Sequence, residues 1–207
     1  MTLPLRAVSA VAALADALRA RVLSGDIAPG TSLPEQELAA AYGVARPTVR
    51  EALAVLVHEG LLRRERNRSA YVPEVTAADL ADLMFVRAAL EDLMATALCG
   101  TRVEAAERAL AHMAALPADA PWSEIVAGHM EFHRALIEAV GSPRLERLYA
   151  VLAAETMLGM VRMRGLYGDR EVLVAEHRAL LEAIVRGPIE ATRAAVASHL
   201  DHTWGDV

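Results

Sequence analysis

Two short segments on either side of Gly43 limit this chain's fold more than any other feature. Leu33-Pro34-Glu35-Gln36-Glu37-Leu38-Ala39 leads into Tyr42-Gly43-Val44, and Arg46-Pro47-Thr48-Val49-Arg50-Glu51-Ala52-Leu53 follows at once. The spacing puts Leu38, Ala39 and Val44 on the inner side of a short helix and its turn, and Gly43 can take the left-handed conformation that ends a helix. Pro47 suits the first turn of the next helix, whose buried stripe reads Val49, Leu53, Leu56 and Val57. Arg46, Thr48 and Arg50 are left at the exposed N-terminal end, where a recognition helix meets base edges and phosphates. After Gly60 the pattern changes to two extended runs, Leu61 to Glu65 and Ser69 to Val72, joined by Arg66-Asn67-Arg68. This order predicts a winged helix-turn-helix whose wing is a small β-hairpin with a cationic tip, bound to double-stranded DNA. The expected contact residues are Glu35, Arg46, Pro47, Thr48 and Arg50, with Arg66, Asn67, Arg68 and Ser69 of the hairpin.

Residues 9 to 75 resemble the N-terminal domain of the GntR superfamily of bacterial transcription regulators. The resemblance rests on Pro29-Gly30, Leu33 to Ala39, Gly43 to Arg46, Val49 to Leu53, and Asn67-Arg68-Ser69-Ala70. Ala45 departs from the serine usual in that family, which removes a helix cap worth about 1 kcal/mol. Ser69 stands where the wing tip usually has glycine.

The remaining chain is long enough for a second core, since 207 residues leave about 130 after a module of this size. Net charge divides the same way: residues 1–75 carry +1 and residues 76–207 carry −7. Six of the nine arginines in the first part (46, 50, 63, 64, 66 and 68) fall on the recognition helix and wing, so a local patch sets DNA affinity. The boundary is expected after Val72-Pro73-Glu74-Val75, where Thr76 opens a capping-box pattern with Asp79. That gives a DNA-binding domain over 1–75 and an effector-binding and dimerisation domain over 76–207. Punctuation by Gly and Pro in the second part predicts helices over 77–99, 102–115, 122–140, 143–164, 169–186 and 188–203. Short connections make these an all-α antiparallel bundle, and the fold class is mainly α. With 55% hydrophobic but only 4% aromatic residues, the core is aliphatic and base-stacking on single strands is disfavoured.

The segment Val8 to Leu18 reads as the first helix of the DNA module rather than a secretion signal, because Asp16 interrupts it and no cleavage site follows. No apolar stretch reaches the roughly 18 residues of a membrane span. The single Cys99 excludes an internal disulfide and fits a reducing compartment, so the expected location is cytoplasmic.

Histidines carry the chemistry of the second part. His129 and His133 are one helical turn apart and face the same interior point, while His177 and His199 lie on two further helices. Four imidazoles on three helices are able to converge on one metal ion. Residues 76 to 203 resemble the FCD effector domain of the FadR subfamily of GntR regulators, through Arg87 to Glu91, Phe132-His133, Gly141-Ser142, Glu176-His177 and His199-Leu200. The resemblance implies a metal held by His129, His133, His177 and His199, with His129 standing where an aspartate is usual. Four neutral ligands leave the metal's charge uncompensated and so favour an anionic effector. All-nitrogen coordination suits a divalent transition metal, Zn first, with Ni, Co or Cu also compatible. By the same resemblance Arg87 is the expected anchor for a small organic acid; Glu155, isolated in an apolar run, and Tyr149 and Arg162 are further effector-site candidates. An enzyme is disfavoured: Glu131 follows His129 by two residues and points away from the ion, unlike the glutamate of His-Glu-x-x-His proteases. The reading is a homodimeric repressor on a pseudo-palindromic operator, controlled by a carboxylate at the metal site. A metal-responsive regulator, in which the ion is itself the signal, and a metal-free pocket stand as alternatives.

Overall fold

In the computed structural model, which describes residues 9–162, 164 and 170–200, the chain divides into two compact units at Glu74 and Val75. In the first unit, α1 (Ala10–Leu23) is capped by Ser9, whose hydroxyl accepts from the Ala12 N–H. It packs against α3 (Arg46–His58) through Leu14, Leu18 and Val22, which meet the buried Val49, Leu53 and Leu56 stripe at helical spacing. Arg19 adds two hydrogen bonds, of 3.0 and 2.7 Å, to Glu59 at the end of α3. Between them α2 (Glu35–Tyr42) ends at Gly43, whose φ of 64° is the left-handed conformation the sequence predicts there. None of the residues of α2 is fully buried; Leu38, Ala39 and the following Val44 are half-buried, so this helix rests on α3 rather than entering the core.

The wing differs from the hairpin expected. Its strand β2 (Ala70–Tyr71) pairs in antiparallel register with β1 (Ser32–Leu33), which precedes α2, with Leu33 opposite Ala70. The run Leu61 to Glu65 joins only through Arg63, which exchanges two backbone hydrogen bonds of 2.9 Å with Tyr71. Leu61 and Leu62 spend their side chains on the core, so the run cannot alternate as a surface strand does. Asn67 turns the tip with a φ of 61°, a conformation asparagine tolerates better than most residues.

Six helices build the second unit among the described residues: α4 (Ala77–Leu98), α5 (Glu104–Ala115), α6 (Trp122–Ala139), α7 (Pro143–Arg162), α8 (Arg170–Arg186) and α9 (Ile189–Leu200). Thr76 and Asp79 form the reciprocal capping box that starts α4, with hydrogen bonds of 3.1 and 2.8 Å. The break expected at 165–168 and the end of the last helix over 201–203 lie outside the described residues. Helix α5 packs on α6 and α8, α4 on α7 and α9, and α6 on α7. The Trp122 indole N–H closes one end by donating to the Met160 carbonyl. Phe132, Leu80, Met94, Met113, Leu136, Met160 and Leu173 fill the centre. No helix of the described residues is long and apolar enough to cross a membrane.

Candidate functional site

The first unit presents its cations on one helix start and one loop tip. Arg46, Pro47 and Arg50 are exposed over the first turns of α3, and Thr48 is half-buried between them. Ala45 occupies the N-cap without a side-chain hydrogen bond, leaving N–H groups of the first turn open to an outside acceptor. Glu35, at the start of α2, accepts from Arg50 at 3.1 Å and lies 3.4 Å from Arg64. The Arg50 hydrogen bond holds the Glu35 carboxyl below its ordinary range, so it stays charged. At the tip, Arg66, Asn67 and Arg68 are exposed and Ser69 is half-buried; Arg68 pairs with Glu65 at 3.0 Å.

In the second unit the buried polar side chains have a different arrangement. Thr156 and Thr192 satisfy themselves on backbone carbonyls, whereas Arg87, Glu91, His129, His133, His177 and His199 gather in one place inside the bundle. On α6, His129 and His133 fall on the same stripe as Val126, Phe132 and Leu136. On α4, Arg87 and Glu91 interrupt an apolar stripe that runs Leu80, Met84, Met94 and Leu98. His177 comes from α8 beside Leu173 and Leu180, and His199 from α9 beside Val196. Neighbouring ring centroids stand 4.6 Å apart for His129 and His133, 4.8 Å for His129 and His177, and 4.6 Å for His177 and His199.

The nitrogens face inward. His133 Nε2 lies 3.2 Å from His177 Nε2 and 3.2 Å from His199 Nε2. Two nitrogens bound to one ion at 2.0–2.1 Å stand roughly 3.0 Å apart in octahedral and about 3.4 Å in tetrahedral geometry, so 3.2 Å is a separation that co-ligands of one ion can have, as well as that of an N–H···N hydrogen bond. His177 Nδ1 is 2.6 Å from the Leu173 carbonyl, which can only accept; the proton therefore sits on Nδ1 and the Nε2 lone pair points into the cluster. Burial, reinforced by the neighbouring histidines and Arg87, drives the His133 pKa well below its usual range. That imidazole is neutral at pH 7, as a ligand must be. Ligand atoms of His129, His133 and His177 lie within 4.8 Å of one another, and so do those of Glu91, His133 and His199. The donor set fits a divalent transition metal.

Of the other candidates, Arg87 and Tyr149 belong to this cluster. Arg87 gives two hydrogen bonds, of 3.0 and 2.6 Å, to one oxygen of Glu91 and reaches the Tyr149 hydroxyl at 3.5 Å. Burial pushes the Tyr149 hydroxyl far up its scale, so it remains a phenol. Glu155 and Arg162 are exposed on α7, and Arg162 donates to the Val75 carbonyl at 2.6 Å; neither joins the histidines. Their position follows from helix phase, because Tyr149 and Thr156 face inward and Glu155 is turned roughly 100° from Thr156. Glu91 is the residue that sequence reasoning missed. Its carboxyl brings an acidic group into a site expected to contain only neutral ligands, and burial, opposed by Arg87, pushes its pKa up. The available signal was phase: Arg87 and Glu91 fall on the buried stripe of α4.

Residues 10–72 match the gntR family of bacterial regulatory proteins, and residues 82–202 match the FCD domain. An HTH-type transcriptional regulator in the unstable DNA locus of Streptomyces ambofaciens is 32% identical over 92% of this chain and 81% of its own length. The gluconate operon transcriptional repressor of Bacillus subtilis strain 168 is 29% identical over 81% of this chain and 72% of its own. Among solved structures, a GntR transcriptional regulator from Rhodococcus sp. RHA1 superposes with a TM-score of 0.75 at 25% identity, covering 92% of this chain and 93% of that one. Escherichia coli McbR/YncC shares the fold, with a TM-score of 0.66 at 22% identity over 94% of each chain.

Proposed function

Since this chain belongs to the gntR family of bacterial regulatory proteins, in its FadR-like branch with an FCD effector domain, and is a DNA-binding transcription regulator rather than an enzyme, we propose that it is a homodimeric repressor controlled by a small carboxylate. The first unit, to Glu74, is then the operator-binding head, and the second senses and dimerises. Arg46, Thr48 and Arg50 read the major groove from the start of α3, while Arg66, Asn67, Arg68 and Ser69 follow the backbone beside it. Glu35 holds Arg50 and Arg64 in place until phosphates or base edges compete for them. A pseudo-palindromic operator needs two heads, and exposed apolar side chains on the packed pair α4 and α7 support a second copy: Phe85 and Val151 are each 75% exposed.

The observation that carries the sensing half is the set of buried imidazole nitrogens separated by 3.2 Å. His129, His133, His177 and His199 would hold a divalent transition metal, Zn first by ligand type. When bound, that ion supplies a positive centre and an open position for one carboxylate oxygen. Arg87 and Tyr149, beside the histidines, offer hydrogen bonds to the rest of the acid. Repression is supported by the Bacillus subtilis relative, a gluconate operon repressor, and gluconate is therefore the first acid to test.

The test begins with an operator selected from random-sequence duplexes, followed by gel-shift titration of metal-loaded and chelator-treated protein with gluconate and other small organic acids. Acid-dependent loss of operator binding in the loaded protein alone is the expected result. If Zn or Ni shifts DNA affinity with no acid present, the ion is itself the signal. Elemental analysis gives a second arm: His133→Ala and His177→Ala should each lose bound metal, and full metal content in both would dismiss the site.

A further inference from the structure

Glu91 has no place in the proposal above, yet it is among the most deeply buried side chains of the second unit. Both Arg87 hydrogen bonds go to its Oε1. Oε2 has no hydrogen-bond partner and lies 3.6 Å from His133 Nδ1, which also lacks one. An imidazole has two nitrogens with linked states: a neutral ring protonated on Nδ1 offers a lone pair on Nε2, and the reverse tautomer does not. A carboxylate oxygen facing Nδ1 can only accept, so it selects the Nδ1–H form. The lone pair of His133 then points at the Nε2 atoms of His177 and His199, each 3.2 Å away. His177 is set the same way by the Leu173 carbonyl. Two lone pairs at that separation repel unless a cation stands between them.

We propose that Glu91 is a positioning residue for the metal site: held at one oxygen by Arg87, it presents the other to His133 Nδ1–H and fixes the tautomer whose Nε2 binds the ion. This inference rests on the reading of the histidine cluster as a metal site. It also corrects the picture of an uncompensated site, since one carboxylate stands directly behind one ligand and raises its basicity. Glu91 acts through His133 on this account and does not touch the metal. Arg87 in turn aims Glu91, because its two hydrogen bonds hold Oε1 and leave Oε2 turned toward His133.

Co(II) is the probe, because its visible d–d absorption reports the coordination set as well as the affinity. Full-length wild type, Glu91→Gln and the double variant Arg87→Met/Glu91→Met are titrated with Co(II). Replacing both partners of a buried ion pair by apolar residues of similar volume is commonly neutral for folding, so the double variant separates loss of positioning from loss of structure. The expected result is an affinity about 10–100-fold weaker in both variants with an unaltered d–d envelope, the size of effect that outer-shell partners of metal-bound histidines show. Unchanged affinity in the folded double variant overturns the proposal. A changed d–d envelope overturns it too, by making Glu91 a ligand. If wild type takes up no Co(II), the metal-site reading itself has failed, a result distinct from wild type and variants binding alike.

Discussion

Arg87 and Glu91 are 3% and 0% exposed, so neither charge can fall back on water when its partner is removed. Arg87→Ala leaves the Glu91 carboxylate buried and unpaired, which should destabilise the protein by about 3–5 kcal/mol; the Met/Met double variant should stay close to wild type. Urea unfolding distinguishes the two, and an Arg87→Ala protein as stable as wild type would show that the pair is solvated. Arg50 is the opposite case, with its side chain 60% exposed. Arg50→Ala should leave the unfolding midpoint unchanged and weaken operator binding by about 1–3 kcal/mol in a gel shift, while equal affinity would remove it from the reading surface. His129 and His133 were legible in the sequence because one-turn spacing on α6 puts both imidazoles on one face whatever surrounds them, whereas His177 and His199, on other helices, were tied to them by the family resemblance. Glu91 was not, because Arg-x-x-Leu-Glu also describes an ordinary surface pair, and only packing of α4 against α7 and α9 decides that it is interior.

Helix boundaries were legible for the same local reason. Gly43, Thr76, Gly100 and Pro143 each act on the backbone next to them, and the six helices of the second unit end within about two residues of where that punctuation puts them, within the described residues. The β1 strand escaped because two residues have no periodicity and its partner, β2, lies beyond two intervening helices. What pairs them is the burial of Leu33 and Ala70 in register, a tertiary event. At the start of α3 the missing cap has a measurable consequence. Ala45 already has the extended backbone of an N-cap, with φ −70° and ψ 146°, but offers no acceptor to the open N–H groups. Ala45→Ser should therefore stabilise the first unit by about 0.5–2 kcal/mol. Urea unfolding checks the gain, and no change would mean that the first turn of α3 is already satisfied. A serine there also competes for N–H groups that would otherwise meet phosphate, so tighter folding with weaker operator binding would assign those groups to DNA.

The whole regulator has to join two units of different charge character, a head carrying +1 over residues 1–75 and a second part carrying −7 over residues 76–207. An acid bound in the second unit alters operator affinity only if it binds the DNA-competent and DNA-incompetent states unequally. Linkage then makes the effect symmetric: the factor by which the acid weakens operator binding is the factor by which the operator weakens acid binding, typically about 5–150-fold. Both factors are measurable on the metal-loaded protein, one by gel shift with and without saturating acid, the other by calorimetric titration of acid with and without saturating operator. Equal ratios are expected. Unequal ratios would place a third species between the two states, and a change of oligomeric state is the first to test, because a dimer that dissociates on binding acid makes the ratio depend on protein concentration. Repeating both titrations at two protein concentrations separates these cases: a two-state dimer gives the same pair of ratios at each, whereas dissociation gives ratios that drift apart on dilution.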